Sequence, residues 1–293
     1  MGALELVRLT PLMQLSSGRS EIRIALIDGP VLMDRSDLWS ANVERVGGNL
    51  PATCTQPGST ACTHGTFVAG ILVARRGSQA PAICPGCTLL VRAVFPEETK
   101  NIGGMPSAMP AELAQSILDA VGAGARVINL SLSVLTPSPR GERQLEAALN
   151  YAAARGAIVV AAAGNQREIG GSPLTRHPWP IPVAGADSLG HPTPTSNLGR
   201  SIGQRGLRAP SEKIASLGPG GHIETFSGTS AATPFVTGAI ALLWSEFPAA
   251  SAAAIKVAIA GGRGSRSSVM PPLLDAWAAW QVLNAGFSGR RPS

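Results

Sequence analysis

Aromatic residues are scarce in this chain. They make up 4% of its 293 residues, and tyrosine occurs once. Charge is scarce too, at 14%. The charge leans basic, with a formal net charge of +6, but the arginines are scattered and form no dense run. Such an excess is a solvated surface rather than a nucleic-acid face. No apolar run reaches the roughly 18 residues needed to cross a bilayer, so no membrane partner is expected. Nor does the N-terminus read as a secretory signal: MGALELVRLTPL contains Glu5 and Arg8 and has no uninterrupted apolar core. A cytoplasmic location is the expectation that follows. Against these absences, 44% of residues are apolar, and Ala and Gly are abundant. That suffices for a sizeable core and suits helices packed closely on a sheet through small residues.

Four β-branched or apolar runs stand out: IRIALID (22–28), CTLLVRAVF (87–95), ARVINLSLS (125–133) and GAIVVAAAG (156–164). Helical patterns separate them, namely GTFVAGILVARR, PAELAQSILDAVGAG and ERQLEAALNYAAARG. This alternation predicts an α/β fold in three layers, a mostly parallel central sheet with helices on both faces. The strands are apolar almost continuously, as strands covered on both faces must be. From about 170 to 225 Pro, Gly, Ser and polar residues dominate, with short strand-like pieces such as IPVAGA and KIASL. GTSAATPFVTGAIALLWSEF then reads as a long small-residue helix, followed by helical patterns near 250–260 and 271–284. No repeat or linker interrupts the chain. A single domain over 1–293 is expected, with its core at about 20–285 and a flexible tail at 286–293. The first recognisable element arrives by residue 21, which leaves no room for a separate N-terminal folding domain.

In an open parallel sheet, reactive groups gather beyond the carboxyl ends of the strands. Asp28 ends the first strand, and Asn165 follows the fourth. His64, one of four histidines, stands at the mouth of a helix, and Ser230 starts the late helix. Each has an ordinary reading: Asp28 and Asn165 as turn residues, His64 and Ser230 as helix caps. Together their chemistry is coherent. An imidazole takes the proton of a serine hydroxyl, a buried carboxylate orients that imidazole, and a side-chain amide donates to an oxyanion. The backbone N–H of Ser230, at a helix start, is a second oxyanion donor.

IALIDG, HGTFVAG, AAAGN and SGTSAATPFVTGAIALL together resemble the subtilisin-like serine proteases over most of residues 20–285. The order Asp, His, Ser is the order found in subtilisin. The resemblance implies a serine endopeptidase working through an acyl-enzyme. Asp28 orients His64, His64 activates Ser230, and Asn165 completes the oxyanion hole. It also implies that SLSV (131–134) pairs with substrate bound as an extended strand. Ser131, Leu132 and Ser133, with Ala161, Ala162, Ala163 and Gly164, would wall the pocket for the residue before the cut. The base of that pocket falls to Arg176, just before the step His177–Pro178. A guanidinium there would favour a carboxylate or amide partner and reject Lys or Arg. The competing expectation is a remodelled loop with Arg176 in solvent.

The sequence departs from the family pattern in several places. Gly29 and Pro30 follow Asp28, where the family has a small or hydroxyl residue and then Gly. Phe67 stands where a second histidine is frequent. The segment ARRGSQAPA (74–82) lacks the Asn and Asp oxygens that many relatives use to hold calcium, so no metal is expected there. No inhibitory pro-domain is seen, and no cofactor is implied. The Asp-Gly-Pro variant, SNLGRSIGQRGLRAP and the PGG before the serine helix resemble a narrower group. These are the leader-peptide proteases of ribosomal-peptide maturation, such as those of cyanobactin pathways, and the intracellular protease of quinohemoprotein amine dehydrogenase biogenesis. The implied partners are a precursor peptide or small protein and maturation-complex components. Two other functions compete: a broad degradative protease, and a non-catalytic relative that binds peptides in the same groove.

The four cysteines are Cys54, Cys62, Cys84 and Cys87. The CPGC spacing invites a zinc reading. However, Cys62 lies near His64 at the carboxyl edge of the sheet, whereas Cys84 and Cys87 precede the next strand at the opposite edge. A helix of about 18 Å separates the two edges. Local pairs, Cys54 with Cys62 and Cys84 with Cys87, are therefore expected, with free thiols and a metal as alternatives.

Overall fold

The computed structural model describes residues 2–38, 41–97, 107–134, 139–261 and 267–288. In chain order the strands are β1 (Arg23–Asp28), β2 (Asn42–Arg45), β3 (Thr88–Ala93), β4 (Ser107–Ala108), β5 (Val127–Leu130), β6 (Ser133–Val134), β7 (Ile158–Ala162), β8 (Ile181–Ala186), β9 (Leu207–Pro210), β10 (Ile214–Leu217) and β11 (Ile223–Phe226). The helices are α1 (Ala3–Leu6), α2 (Leu9–Leu15), α3 (Thr60–Val73), α4 (Pro110–Gly122), α5 (Pro139–Ala154), α6 (Pro173–Arg176), α7 (Arg200–Arg205), α8 (Thr229–Glu246), α9 (Ala252–Ile259) and α10 (Ala276–Ser288). Seven strands form one parallel sheet in the order β2-β3-β1-β5-β7-β8-β9. The hairpin β10–β11 is antiparallel, and β4 pairs with β6.

The sheet divides the core in two. Along β1, Ile24 and Leu26 belong to the cluster that holds α3 and α8, while Ala25 and Ile27 face the cluster of α4 and α5. Along β7, Ile158 and Val160 face one way and Val159 and Ala161 the other. Side chains alternate along a strand, so a strand covered on both faces needs an apolar residue at every position. Helix α8 is buried on every side from Thr229 to Ser245, as a helix apolar all round must be.

The structure adds elements that the patterns did not signal. α1 and α2 precede residue 21, and Leu9 and Leu12 of α2 are fully buried. β2, with sequence NVER, is a largely exposed edge strand, so it carries no apolar run. α10 continues through residues 286–288, where Phe287 packs 5.6 Å from Phe247; the tail expected from 286 leaves only 289–293 outside the described residues. Among the described residues, no helix is long and apolar enough to cross a membrane.

Candidate active site

Asp28 is the last residue of β1 and is fully buried. Its Oδ1 accepts hydrogen bonds from the N–H of Gly29 and from His64 Nδ1, both at 2.7 Å. His64 lies within α3 rather than at its start. The helix begins at Thr60, and Ser59 is its cap, accepting from Cys62 N at 3.1 Å. The capping reading of His64 is thereby removed. Two glycines bring the helix this close. A Cβ on Gly29 would stand 2.0 Å from the carbonyl oxygen of Ala61, and one on Gly65 would stand 2.5 Å from those of Gly29 and Pro30. Only bare backbone at both positions lets α3 rest on the Asp28–Pro30 turn.

His64 is 6% exposed, its ring centroid 6.1 Å from that of Phe226, which packs edge-on against Phe67 at 4.7 Å. Phe67 thus has a packing role in place of a second histidine. With Nδ1 on the carboxylate, the other ring nitrogen, Nε2, is buried and has no hydrogen-bond partner among the described residues. An imidazole tied at Nδ1 to a carboxylate presents Nε2 as its proton acceptor.

Ser230 is the second residue of α8 and is 7% exposed. Pro234 sits four residues on, inside the same helix. Proline has no N–H, so the Ser230 carbonyl lacks its regular helical donor. Ser131 Oγ supplies one at 2.8 Å. Ser131 Oγ in turn accepts from Asn129 Nδ2 at 2.9 Å, and Asn129 Oδ1 accepts from Thr237 Oγ1 at 2.8 Å. This fully buried chain ties β5 to α8 beneath the serine. Asn129 and Thr237 were not singled out from sequence, and the signal that points to them is the proline inside the serine helix.

Asn165 follows β7. Its Oδ1 accepts from Thr229 N at 2.9 Å, and Gly164 N donates to Thr229 Oγ1 at 3.2 Å. Its Nδ2 lies over Gly228, where a Cβ would come within 2.8 Å of it. Gly228 has φ +134°, which a side chain would also oppose. Asp28 is bonded to His64, and Asn165 to the first turn of α8; both pairs stand at the carboxyl ends of strands, and His64 Nε2 makes no hydrogen bond to Ser230.

A cavity of about 540 Å³ opens beside this edge. Leu132, Ser133, Ala162, Ala163 and Gly164 line it, as the sequence predicts. Three other expected residues do not. Ser131 and Ala161 are fully buried, the first turned to Ser230 and the second to the α4–α5 side. Arg176 ends α6 instead of reaching the base. Its side chain is 58% exposed, 3.6 Å from Glu142, and it donates to the Gly171 carbonyl at 3.0 Å. The loop is remodelled by α6, whose N-cap Ser172 and Thr175 form a capping box.

The cysteines divide between the two expectations. Cys54 and Cys62 form a disulfide across 8 residues. Cys84 and Cys87 are buried free thiols rather than the expected second pair. The hydrogen bond they share, with burial adding to it, pushes the Cys84 thiol well up; the same hydrogen bond draws Cys87 down against its own burial. Glu97 approaches the first pair: ligand atoms of Cys54, Cys62 and Glu97 lie within 4.8 Å of one another. A metal does not fit there, because the sulfurs are bonded to each other and the Glu97 carboxylate already accepts from Thr55 N and Gln56 N. In the segment 74–82, Arg76 donates to the carbonyl oxygens of Met13, of Ser16 at 2.6 Å and of Ile83 at 3.1 Å.

Residues 19–261 match the Subtilase family. Subtilisin amylosacchariticus from Bacillus subtilis subsp. amylosacchariticus is 30% identical over 234 residues, which cover 78% of this chain and 57% of that protein. The chain thus spans little more than half the length of that relative. Among solved structures, the prenylagaramide maturation protease PagA superposes with a TM-score of 0.79 at 28% identity, covering 94% of this chain and 98% of its own. The patellamide maturation protease PatA superposes with a TM-score of 0.75 at 30% identity, covering 92% and 98%.

Proposed function

The chain belongs to the subtilase family, and from that premise we propose that it is a serine endopeptidase that cuts a leader segment from a precursor peptide or small protein. The observation that carries the reading is the buried Asp28–His64 pair, whose open Nε2 lies at the same sheet edge as Ser230. In this reading Ser230 Oγ attacks the scissile carbonyl carbon as His64 Nε2 takes its proton. Asp28, bonded to Nδ1–H, steadies the imidazolium that forms. The carbonyl oxygen becomes an oxyanion that accepts from Asn165 Nδ2 and the Ser230 N–H. His64 then returns the proton to the leaving amine, leaving an acyl-enzyme. A water, deprotonated by the same nitrogen, releases the acid and restores the serine.

Leader removal is favoured over general degradation by the likeness to PagA and PatA, both named as maturation proteases. The substrate would lie as an extended strand along the edge at residues 132–134. We place the enzyme in the cytoplasm as a single peptidase domain, acting with the components of a maturation complex. Incubation with casein and with a candidate precursor, read by mass spectrometry, tests this. One cut in the precursor and none in casein is expected; general proteolysis would make it a degradative enzyme. Ser230→Ala should abolish cleavage, by on the order of a million-fold, with an unchanged circular dichroism spectrum. A tenth of the activity retained would remove Ser230 from its role, and wild-type binding without cleavage would make the chain a peptide binder.

A further inference from the structure

The cavity at the candidate site holds one charged lining residue, Glu168. Its backbone is fixed from both ends. Glu168 N donates to Asn197 Oδ1 at 3.0 Å, and its carbonyl accepts from Leu198 N at 3.0 Å. Asn197 also holds the neighbouring lining amide, donating to Gln166 Oε1 at 2.7 Å. The Glu168 carboxylate itself makes no hydrogen bond or ion pair among the described residues. The cation nearest in sequence that was expected to serve this cavity, Arg176, is engaged with Glu142 outside it. Leu132, Val134 and Leu174 contribute apolar surface to a lining that also carries Ser133, Gln166 and Asn197. A volume of about 540 Å³ takes a long side chain.

A cavity of mixed apolar and polar lining with one acidic residue in it suits a side chain with an aliphatic stem and a cationic head. We infer that this cavity receives a Lys or Arg as the residue before the cut, with Glu168 as its counter-charge. This deepens the endopeptidase reading and rests on it. It also reverses the selectivity expected from Arg176: basic residues are accepted, and Glu is rejected by like charge.

Two readouts separate this inference from the proteolysis on which it rests. The first is kcat/KM on quenched peptides that differ only in the residue before the cut, carrying Lys, Gln, Leu or Glu. The second is fluorescence-polarisation binding of peptides ending in those residues to the Ser230→Ala protein. Lys should exceed Gln by about two- to fivefold in both, the upper range of an exposed charge pair. Glu168→Gln should bring the Lys-to-Gln ratio close to one, and Glu168→Lys should move the preference to Glu. Glu168 is exposed, so both variants should fold. Cleavage with Leu or Gln at least as good as Lys, or a ranking that Glu168→Gln leaves in place, overturns the inference while proteolysis stands. Glu168-dependent binding of Lys peptides without cleavage by the wild type overturns proteolysis and supports the pocket.

Discussion

Asn165 works through both ends of its amide. The oxygen holds Thr229 N, at the start of the serine helix, and the nitrogen lies over Gly228. Asn165→Ala removes both, so a fall in activity alone would not say which end matters. Asn165→Asp keeps the acceptor for Thr229 N and removes the donor. Both variants should lose roughly 10²–10³ in kcat with little change in KM. A large KM change in Asn165→Asp would make the residue a substrate-positioning group. A second prediction at this scale concerns Lys256. Its Nζ donates to the Trp179 carbonyl and lies 3.9 Å from that ring. Burial, and then the charge of Arg205, lowers its pKa from 10.5 to about 8. The unfolded chain therefore binds this proton more tightly. Between pH 8 and 10.5 the unfolded state carries more protons, and the Lys256 contribution to stability rises with pH. Urea midpoints at pH 7 and pH 10 should show wild type gaining on Lys256→Met. Parallel curves for the two proteins would contradict this.

At the scale of elements, the serine helix depends on a neighbouring strand. Pro234 breaks the regular hydrogen bond to the Ser230 carbonyl, and Ser131 Oγ replaces it. Ser131→Ala leaves that carbonyl buried without this donor, at a cost of about 1–3 kcal/mol. A residue that merely touched substrate would alter KM and leave stability in place. The repair is specific: Pro234→Ala restores an N–H at the missing position, so the double variant should regain part of the lost stability. If denaturant midpoints show the two losses simply adding, the carbonyl is not where Ser131 acts.

At the scale of the whole molecule, Arg76 ties α2, the segment after it and the chain leading into β3 through three carbonyl oxygens. A guanidinium thus gathers oxygens from separate segments, as a bound cation would. Arg76→Ala should lower the melting temperature by roughly 2–4 °C for each kcal/mol lost, whereas EDTA should leave the wild type unchanged. A fall of several degrees with EDTA would require a metal elsewhere in the chain.

The sequence by itself determined the layers and singled out the four candidate residues. Strand and helix periods are local, and the residues at Asp28, His64, Asn165 and Ser230 stand in short stretches whose turn chemistry is local as well. The family resemblance of those stretches carried their roles. Three matters were decided only in the tertiary structure. The side on which Ser131 points depends on strand alternation against a particular neighbour, and its hydroxyl met a carbonyl left open by Pro234, 103 residues away. Cys54 and Cys62 were brought into a bond, and Cys84 and Cys87 were left as thiols, although both pairs are close in sequence. The charge in the cavity changed sign, because a spacing of eleven residues after Asn165 does not fix the path of a loop. The capping box of α6 turned Arg176 outward, and the Asn197 contacts held Glu168 in the lining. Local pattern specifies which elements form, but the groups that meet across them are set by packing, where two residues distant in the chain share one volume.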